Sequence, residues 1–371
     1  MNVLVLGCGE MAHVAIRDLF IHGSFDVLGV GSRTPENTES VFASLNYMNT
    51  DLAAHRVDVQ EHAALVRLMR DYDVVCNLAG PNYRNAVPVA RAAIEARVPL
   101  VDAMDDWETA LQMFELDDAA RAAGITIITG LGASPGITNV MARAGVDRLD
   151  RADEIHTAWI MRGSDPGGPA LARHLLYSLP HRAFVYEDGQ MNEVRPFQDG
   201  AEVVWFPYHG DVEVFHIGHP EPFMLARTFP DVRYADDKAT FLPAEVNDLI
   251  VDLGKSVRLP GNGEDVDEME RAADQLHQTC KAMVSVPRIG ALRAEVRGEV
   301  DGKRARWIFA SPGRIGLGTG MPAAIGAKLL ATGEVYQPGV HPPEACIDPD
   351  YLLDAIEIRG IDTVTQTFIE E

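Results

Sequence analysis

Lysine is scarce in this chain: five of 371 residues, against 27 arginines and 55 acidic residues, for a formal charge of −23. So acidic an envelope repels phosphate backbones and anionic headgroups, and argues against nucleic acid or anionic membrane as a partner. Cysteine is scarcer still. Cys8, Cys76, Cys280 and Cys346 are scattered without a C-x-x-C pair, so neither a disulfide framework nor a zinc site is expected. No apolar run is long enough to span a bilayer, and the chain enters its first strand without a signal peptide; a cytoplasmic protein is the expectation. Repeats and low-complexity tracts are also missing. What remains is an ordinary globular composition, 47% hydrophobic and 23% charged, with material for two domains.

The first thirty-four residues organise the rest. Residues 2–6 (NVLVL) form an almost wholly apolar run, as in a strand buried on both faces of a parallel sheet. Gly7-Cys8-Gly9-Glu10-Met11-Ala12 follows at once, and apolar residues then recur at helical spacing up to Gly23. Strand, glycine turn and helix are the context in which G-x-G-x-x-A marks a dinucleotide site. Gly7 permits the turn, Gly9 lets backbone approach a pyrophosphate, and Ala12 allows close helix–strand packing. The N–H groups at the helix start, at Glu10 and Met11, receive the anion.

Strands and helices then alternate, as in parallel βαβ units. Strands are predicted over residues 25–30, 56–59, 74–78, 99–102 and 125–129, with helices over 36–45, 62–69, 87–96 and 111–123. Gly130–Gly136 (GLGASPG) breaks the rhythm before a helix over 137–149. Beyond it the pattern changes to longer strands and hairpins over 154–160, 184–194, 212–217 and 292–309, with turns at Asp188-Gly189 and Asp301-Gly302. Helices over 243–253 and 269–283 interrupt them, and residues 254–267 read as a polar loop. This predicts an α+β domain with a largely antiparallel sheet. Gly318–Pro322 opens a helix over 323–331, and a last helix (351–358) and strand (363–369) end the chain. The expected domains are 1–131, 132–318 and a return segment, 319–371.

Gly7-x-Gly9-x-x-Ala12, Asn77–Pro81, Val101-Asp102, Ser134-Pro135-Gly136, Met321-Pro322-Ala323-Ala324 and Gly339-Val340-x-Pro342-Pro343-Glu344 stand in the order seen in the saccharopine dehydrogenase-like family. The chain resembles that family along nearly its whole length. The resemblance implies a Rossmann domain, a central α+β substrate and dimerisation domain, and a C-terminal return to the first domain. It also implies NAD(P)-dependent interconversion of a secondary amine or amino acid with its imine, by a homodimer acting on an amino-acid or polyamine-type molecule. One departure is chemical. Saccharopine reductases carry an Asp before the Pro-Gly of the interdomain loop; here it is Ser134, which offers an ammonium no charge and points to a different amine or carboxylated imine.

Hydride transfer needs a fixed nicotinamide, a carbon acceptor and a proton donor. Asp102, at a strand exit, either binds a substrate ammonium or relays a proton, or else caps the next helix; Asp106 reads as such a cap. Gly80 and Pro81 shape a loop beside the cofactor, and Tyr83 either donates a proton or packs. His219 and Glu221, in a glycine–proline turn, suit substrate binding or acid–base work; alternatively the turn is structural. His216-x-x-His219 with Glu221 also invites a metal, but strand alternation sends the two imidazoles to opposite faces, and no metal is expected. Arg227 is the candidate carboxylate clamp, or else a solvated arginine.

Cofactor choice rests on the second strand. NAD-selective domains place an acid at its exit to read the ribose hydroxyls. Here Ser32, Arg33 and Thr34 stand there, with no acid before Glu36. Two hydroxyls and a guanidinium suit a 2′-phosphate, so NADP(H) is expected over NAD(H); otherwise the hydroxyls merely cap the next helix. Asp58, within the third strand, completes the expected cofactor contacts. The rival readings are a non-catalytic dinucleotide sensor and a carbon–carbon double-bond reductase.

Overall fold

The computed structural model of the chain describes residues 1–34, 36–43, 45, 50–165, 169–257, 266–283 and 289–370. Residues 258–265 of the loop expected over 254–267 lie outside these, as do Pro35 and residue 44, at the two ends of the helix predicted over 36–45. The chain forms two units, Met1–Gly136 with Gly316–Ile347 and Ile137–Ile315 with Asp348–Glu371.

The first unit is built on a seven-stranded sheet in which the described pairings are all parallel. In space its strands run Gly339–His341, Thr126–Thr129, Leu100–Asp102, Val74–Asn77, Asn2–Leu6, Val27–Ser32 and Asp51–Arg56. The order reverses at the first strand, which places a ligand crevice beyond the carboxyl ends there. Val3, Leu4, Val5, Leu6, Val74 and Val75 are fully buried, as their unbroken apolar runs require.

Several element boundaries differ from the sequence reading. The strand expected over 56–59 is Asp51–Arg56, an edge strand whose half-exposed residues carry no apolar run. The helix expected from Val87 starts at Asn82 and accommodates Pro88, and the one expected over 111–123 is two, Trp107–Phe114 and Asp117–Ala123. The helix expected from Ala323 spans Ile315–Thr332, with Pro322 inside it. Its glycines are packing surfaces rather than breakers: a Cβ on Gly320 would lie 2.3 Å from the Met11 carbonyl oxygen on the first helix.

The second unit is a nine-stranded mixed sheet. Its main path runs Glu202–Phe206, Gly210–His216, Tyr234–Leu242, Arg151–Arg162, Gly290–Val300, Lys303–Gly313 and Val364–Ile369, and the Ala183–Glu187 hairpin strand joins Tyr234–Leu242. Tyr234–Leu242 and Arg151–Arg162 pair parallel; the other described pairs are antiparallel. Both predicted tight turns have positive φ at each central residue, 45° and 88° at Asp188-Gly189 and 52° and 73° at Asp301-Gly302. That is the twist a two-residue hairpin demands.

At the C-terminus the segment returning to the first unit stops at Ile347, whereas the sequence reading carries it to residue 371. The strand Val364–Ile369 adds instead to the edge of Lys303–Gly313, from Ala310↔Val364 to Ala305↔Ile369. Helix Pro349–Ile358 packs on Ile137–Val146. No described helix is long and apolar enough to cross a membrane.

Candidate functional site

The glycine loop sits at the carboxyl end of the first strand, where a Cβ on Gly7 (φ 103°) would meet the Leu78 carbonyl oxygen at 2.6 Å. Only glycine allows that approach. Gly9 occupies the N-cap of helix Glu10–His22, no side chain caps that end, and the space where its Cβ would project is open to 4 Å. Ala12 is buried under the helix. Backbone N–H groups at Glu10 and Met11 therefore face a cradle that fits a pyrophosphate.

At the end of the second strand the Ser32 hydroxyl is buried without a hydrogen-bond partner among the described residues. Arg33 and Thr34 are exposed beside it, and Asn37 donates its amide to Thr34 Oγ1 at 3.2 Å. Sequence reasoning missed Arg56. It stands opposite Ser32 in the parallel ladder and donates from Nη1 to the Arg33 carbonyl oxygen at 3.0 Å and from Nη2 to Glu36 at 2.8 Å. Its signal lay in the third strand, whose end had to be placed correctly first. Asp58 is engaged locally, its Oδ1 accepting the Gln60 N–H at 3.0 Å in the turn before helix His62–Met69.

Asp102 is almost fully buried at the exit of its strand. Its Oδ2 accepts the Asn77 side-chain amide at 2.5 Å, and its Oδ1 accepts the Met104 N–H at 2.8 Å. Burial pushes its pKa up to about 7, with the neighbouring charges of Asp105 and Asp106 adding to the rise and the two hydrogen bonds opposing it. Asp102 does not cap the following helix: Asp106 stands at the N-cap position of Trp107–Phe114, though its side chain makes no capping hydrogen bond there. Two asparagines shape the adjoining loop. Asn85 donates to the carbonyl oxygens of Ala79 at 2.9 Å and Gly80 at 3.0 Å, and Asn82 donates to Asp105 at 2.8 Å. Pro81 begins helix Asn82–Ala96 as its N-cap, and Tyr83 lies half-buried with the Arg84 guanidinium 5.8 Å from its ring centroid. Ser134 is half-buried in a loop drawn tight by the Gly132 N–H to Pro135 carbonyl bond of 2.9 Å.

The second unit has its own buried cluster. His219 Nδ1 lies 2.9 Å from Glu221 Oε2 and 3.5 Å from Asp237 Oδ2. Thr157 Oγ1 is 2.7 Å from Asp237 Oδ1, and Trp159 Nε1 donates to Oδ2 at 3.3 Å. Burial, then the charge of Glu221, drives Asp237 well above the ordinary carboxylate range. The ligand atoms of His219, Glu221 and Asp237 fall within 4.8 Å of one another, a spacing a cation also needs, but Thr157 and Trp159 already engage both Asp237 oxygens. His216 serves a different centre, its Nε2 3.1 Å from Asp236 Oδ2. The structure thus joins His219 to Glu221 and adds Asp237, which sequence reasoning missed. It does not bring Arg227 to them: that residue is exposed in the last turn of helix Glu221–Thr228, roughly 240° around the helix from Glu221.

Comparison with known proteins gives a consistent answer. The family described as the saccharopine dehydrogenase NADP binding domain matches residues 3–128. The chain is 24% identical to the carboxyaminopropylagmatine dehydrogenase of Synechocystis sp., over 97% of this chain and 96% of that protein. It is 25% identical to the carboxynorspermidine synthase of Vibrio cholerae, over 97% of this chain and 96% of that protein. Its fold matches that of apo saccharopine dehydrogenase (L-Glu forming) from Saccharomyces cerevisiae, with a TM-score of 0.69 at 17% identity over 99% of both chains.

Proposed function

We propose that this chain, a saccharopine dehydrogenase-like protein, is an NADP(H)-dependent oxidoreductase that interconverts an amino-acid-derived imine and a secondary amine. Its relatives along the full length are named for carboxyaminopropylagmatine and carboxynorspermidine, and we take the substrate from that class of carboxylated amines. The observation that carries the reading is Asp102: a buried carboxyl group of pKa about 7 at the carboxyl edge of the sheet that bears the glycine loop. Bound NADPH supplies a hydride to the imine carbon. The chain's part is to hold the cofactor and manage the proton. Gly7, Gly9 and the N–H groups of Glu10 and Met11 receive the pyrophosphate; Ser32, Arg33, Thr34 and Arg56 receive the 2′-phosphate; Gly80 and Pro81 border the nicotinamide side. Asp102 gives the nitrogen its proton as the imine is reduced and takes it back in the reverse direction, a role for which a pKa near working pH is optimal. To the substrate's path we assign Tyr83, in the first turn of the helix after Gly80-Pro81, and Ser134, in the loop whose Leu131 N–H bonds the Asp102 carbonyl oxygen at 3.0 Å.

The protein acts as a homodimer in this reading. The edge strand Val364–Ile369 leaves Phe368 46% and Ile369 51% exposed, apolar surface that a second subunit covers. The test is NADPH oxidation with paired α-keto acids or amino-acid semialdehydes and di- or polyamines. At least one pair is expected to turn over in the wild type and to lose 100-fold or more of kcat, roughly the share of a general acid, in Asp102→Asn. No turnover with any pair, or an unimpaired Asp102→Asn enzyme, overturns the proposal.

A further inference from the structure

The side-chain amide of Asn77 cannot be turned end for end. The Ala79 N–H points at Asn77 Oδ1 from 3.2 Å, so a flipped amide would set two donors against each other. That fixes Nδ2 on the Asp102 side, 2.5 Å from Oδ2, while the Met104 N–H occupies Oδ1 at 2.8 Å. Both oxygens of a nearly inaccessible carboxyl group therefore face donors, and neither is offered an acceptor by these partners. Donors to both oxygens favour the anion; burial favours the acid. Asn77 itself is 1% exposed and lies directly opposite Asp102 in the ladder between the Val74–Asn77 and Leu100–Asp102 strands.

From this geometry we infer that Asn77 is a positioning residue that holds the Asp102 carboxyl in place and keeps its anionic form accessible at neutral pH. Among the described residues, Asp105 and Asp106, from the same strand exit, and the Cys76 thiol, from the neighbouring strand, also act on this centre. The carboxylates raise the Asp102 pKa, and the thiol, itself pushed up by burial, stays neutral, so Asn77 and Met104 supply the opposing pull. The catalytic importance of this control rests on the role proposed for Asp102, but the control itself is separately measurable.

The experiment is a titration of the Asp102 carboxyl carbon by NMR in the full-length, carboxyl-labelled protein, with Asp102→Asn assigning the signal. Asn77→Leu removes the donor and keeps the volume; Asn77→Asp keeps the shape and the acceptor for Ala79 but turns the donor into a second acid. The midpoint is expected to rise by about one pH unit or more in Asn77→Leu, the scale of one lost hydrogen bond to a carboxylate. In Asn77→Asp the pair is expected to titrate in two separated steps, because two adjoining acids share one proton. An unmoved midpoint in either folded variant overturns the inference, and the two variants guard against one failing to fold. Full turnover in Asp102→Asn would sink the proposed reaction and leave this result standing, whereas an unmoved midpoint would sink this inference alone.

Discussion

Ser32 and Arg56 face each other across the last rung of the parallel ladder between the second and third strands, and Arg56 reaches on to the Arg33 carbonyl oxygen at 3.0 Å. One guanidinium thus lies beside the pocket that three consecutive residues, Ser32, Arg33 and Thr34, suggest. Arg56 is meanwhile paired to Glu36 at 2.8 Å with both side chains about two-thirds exposed, and such a pair contributes little.

Arg56 is therefore available to a stronger anion. Arg56→Ala is expected to weaken NADPH binding about 10–100-fold and leave NADH binding within about 2-fold, the range for one charged hydrogen-bonded contact to phosphate. Glu36→Gln, which frees the guanidinium, should strengthen NADPH binding modestly. Calorimetric titration of both cofactors at low and high salt checks this, since the Arg56 contribution shrinks as ionic strength rises. Equal losses for both cofactors in Arg56→Ala would place the residue outside phosphate recognition.

Asp237 gives a second test, because its surroundings suit the acid and not the anion. Burial and the facing Glu221 raise its pKa far above the usual range. The Thr157 hydroxyl also lies 3.0 Å from the Asp236 carbonyl oxygen, to which it can donate while its own oxygen accepts the Asp237 proton. Trp159 donates to the other Asp237 oxygen. An asparagine presents the same pattern, with its oxygen toward Trp159 and its NH2 toward Thr157. Asp237→Asn is expected to change stability at pH 7 by less than about 1 kcal/mol, while Asp237→Ala, which strands the Trp159 N–H and leaves the Thr157 oxygen without its donor, costs about 2–5 kcal/mol. Urea unfolding measures both. A large loss in the asparagine variant would mean that the native group is ionised.

The parallel unit was the legible part of the chain, and the reason is physical. Residues 2–6 and 74–77 are buried on both faces, so their apolar runs announce strands, and Gly7, Gly9 and Ala12 follow from the turn they make. Asp51–Arg56 was misplaced because an exposed edge strand has no such run, and Arg56 was lost with it. Tyr234–Leu242 was missed altogether. Its Asp236-Asp237-Lys238 breaks any apolar run, yet the strand is central and all three residues are buried. Their partners come from three other strands and a helix, and no local pattern contains that information. His219 and Glu221 were found together because their bond spans only two residues. Arg227 suits a carboxylate clamp by its chemistry alone, and helical phase puts it on the exposed side.

The charges around Asp236 set a final expectation, for stability against pH. They form a chain of alternating sign across the sheet: Glu202 with Lys238 at 2.6 Å, Lys238 with Asp236 at 3.2 Å, Asp236 with His156 at 2.9 Å, His156 with Glu154 at 3.2 Å, and Glu154 with Arg297 at 3.1 Å. Burial alone would lower the His156 pKa, and Arg297 lowers it further, but Asp236 and Glu154 outweigh both and raise it to about 9. A histidine whose folded pKa exceeds its unfolded value stabilises fully below about 6.5, and the contribution is lost as pH climbs through 9. The hydrogen bond from His156 also holds Glu154 near 2, so that group's contribution is present above about 4.5 and is lost as pH falls toward 2. The alkaline loss assignable to His156 is about 3 kcal/mol. Asp102, raised to about 7, adds a decline of its own that is half complete at neutral pH and finished about one unit above it; both proteins share it, so it cancels when their curves are compared. His156→Asn should therefore be destabilised at pH 6, and should show a much flatter decline than wild type between pH 7 and 10. Asp236 keeps His216, Lys238 and Tyr234 as donors in that variant, so the fold should survive the change. Urea unfolding at pH 6, 8 and 10 decides it: parallel curves for the two proteins would show that His156 does not carry the alkaline limb.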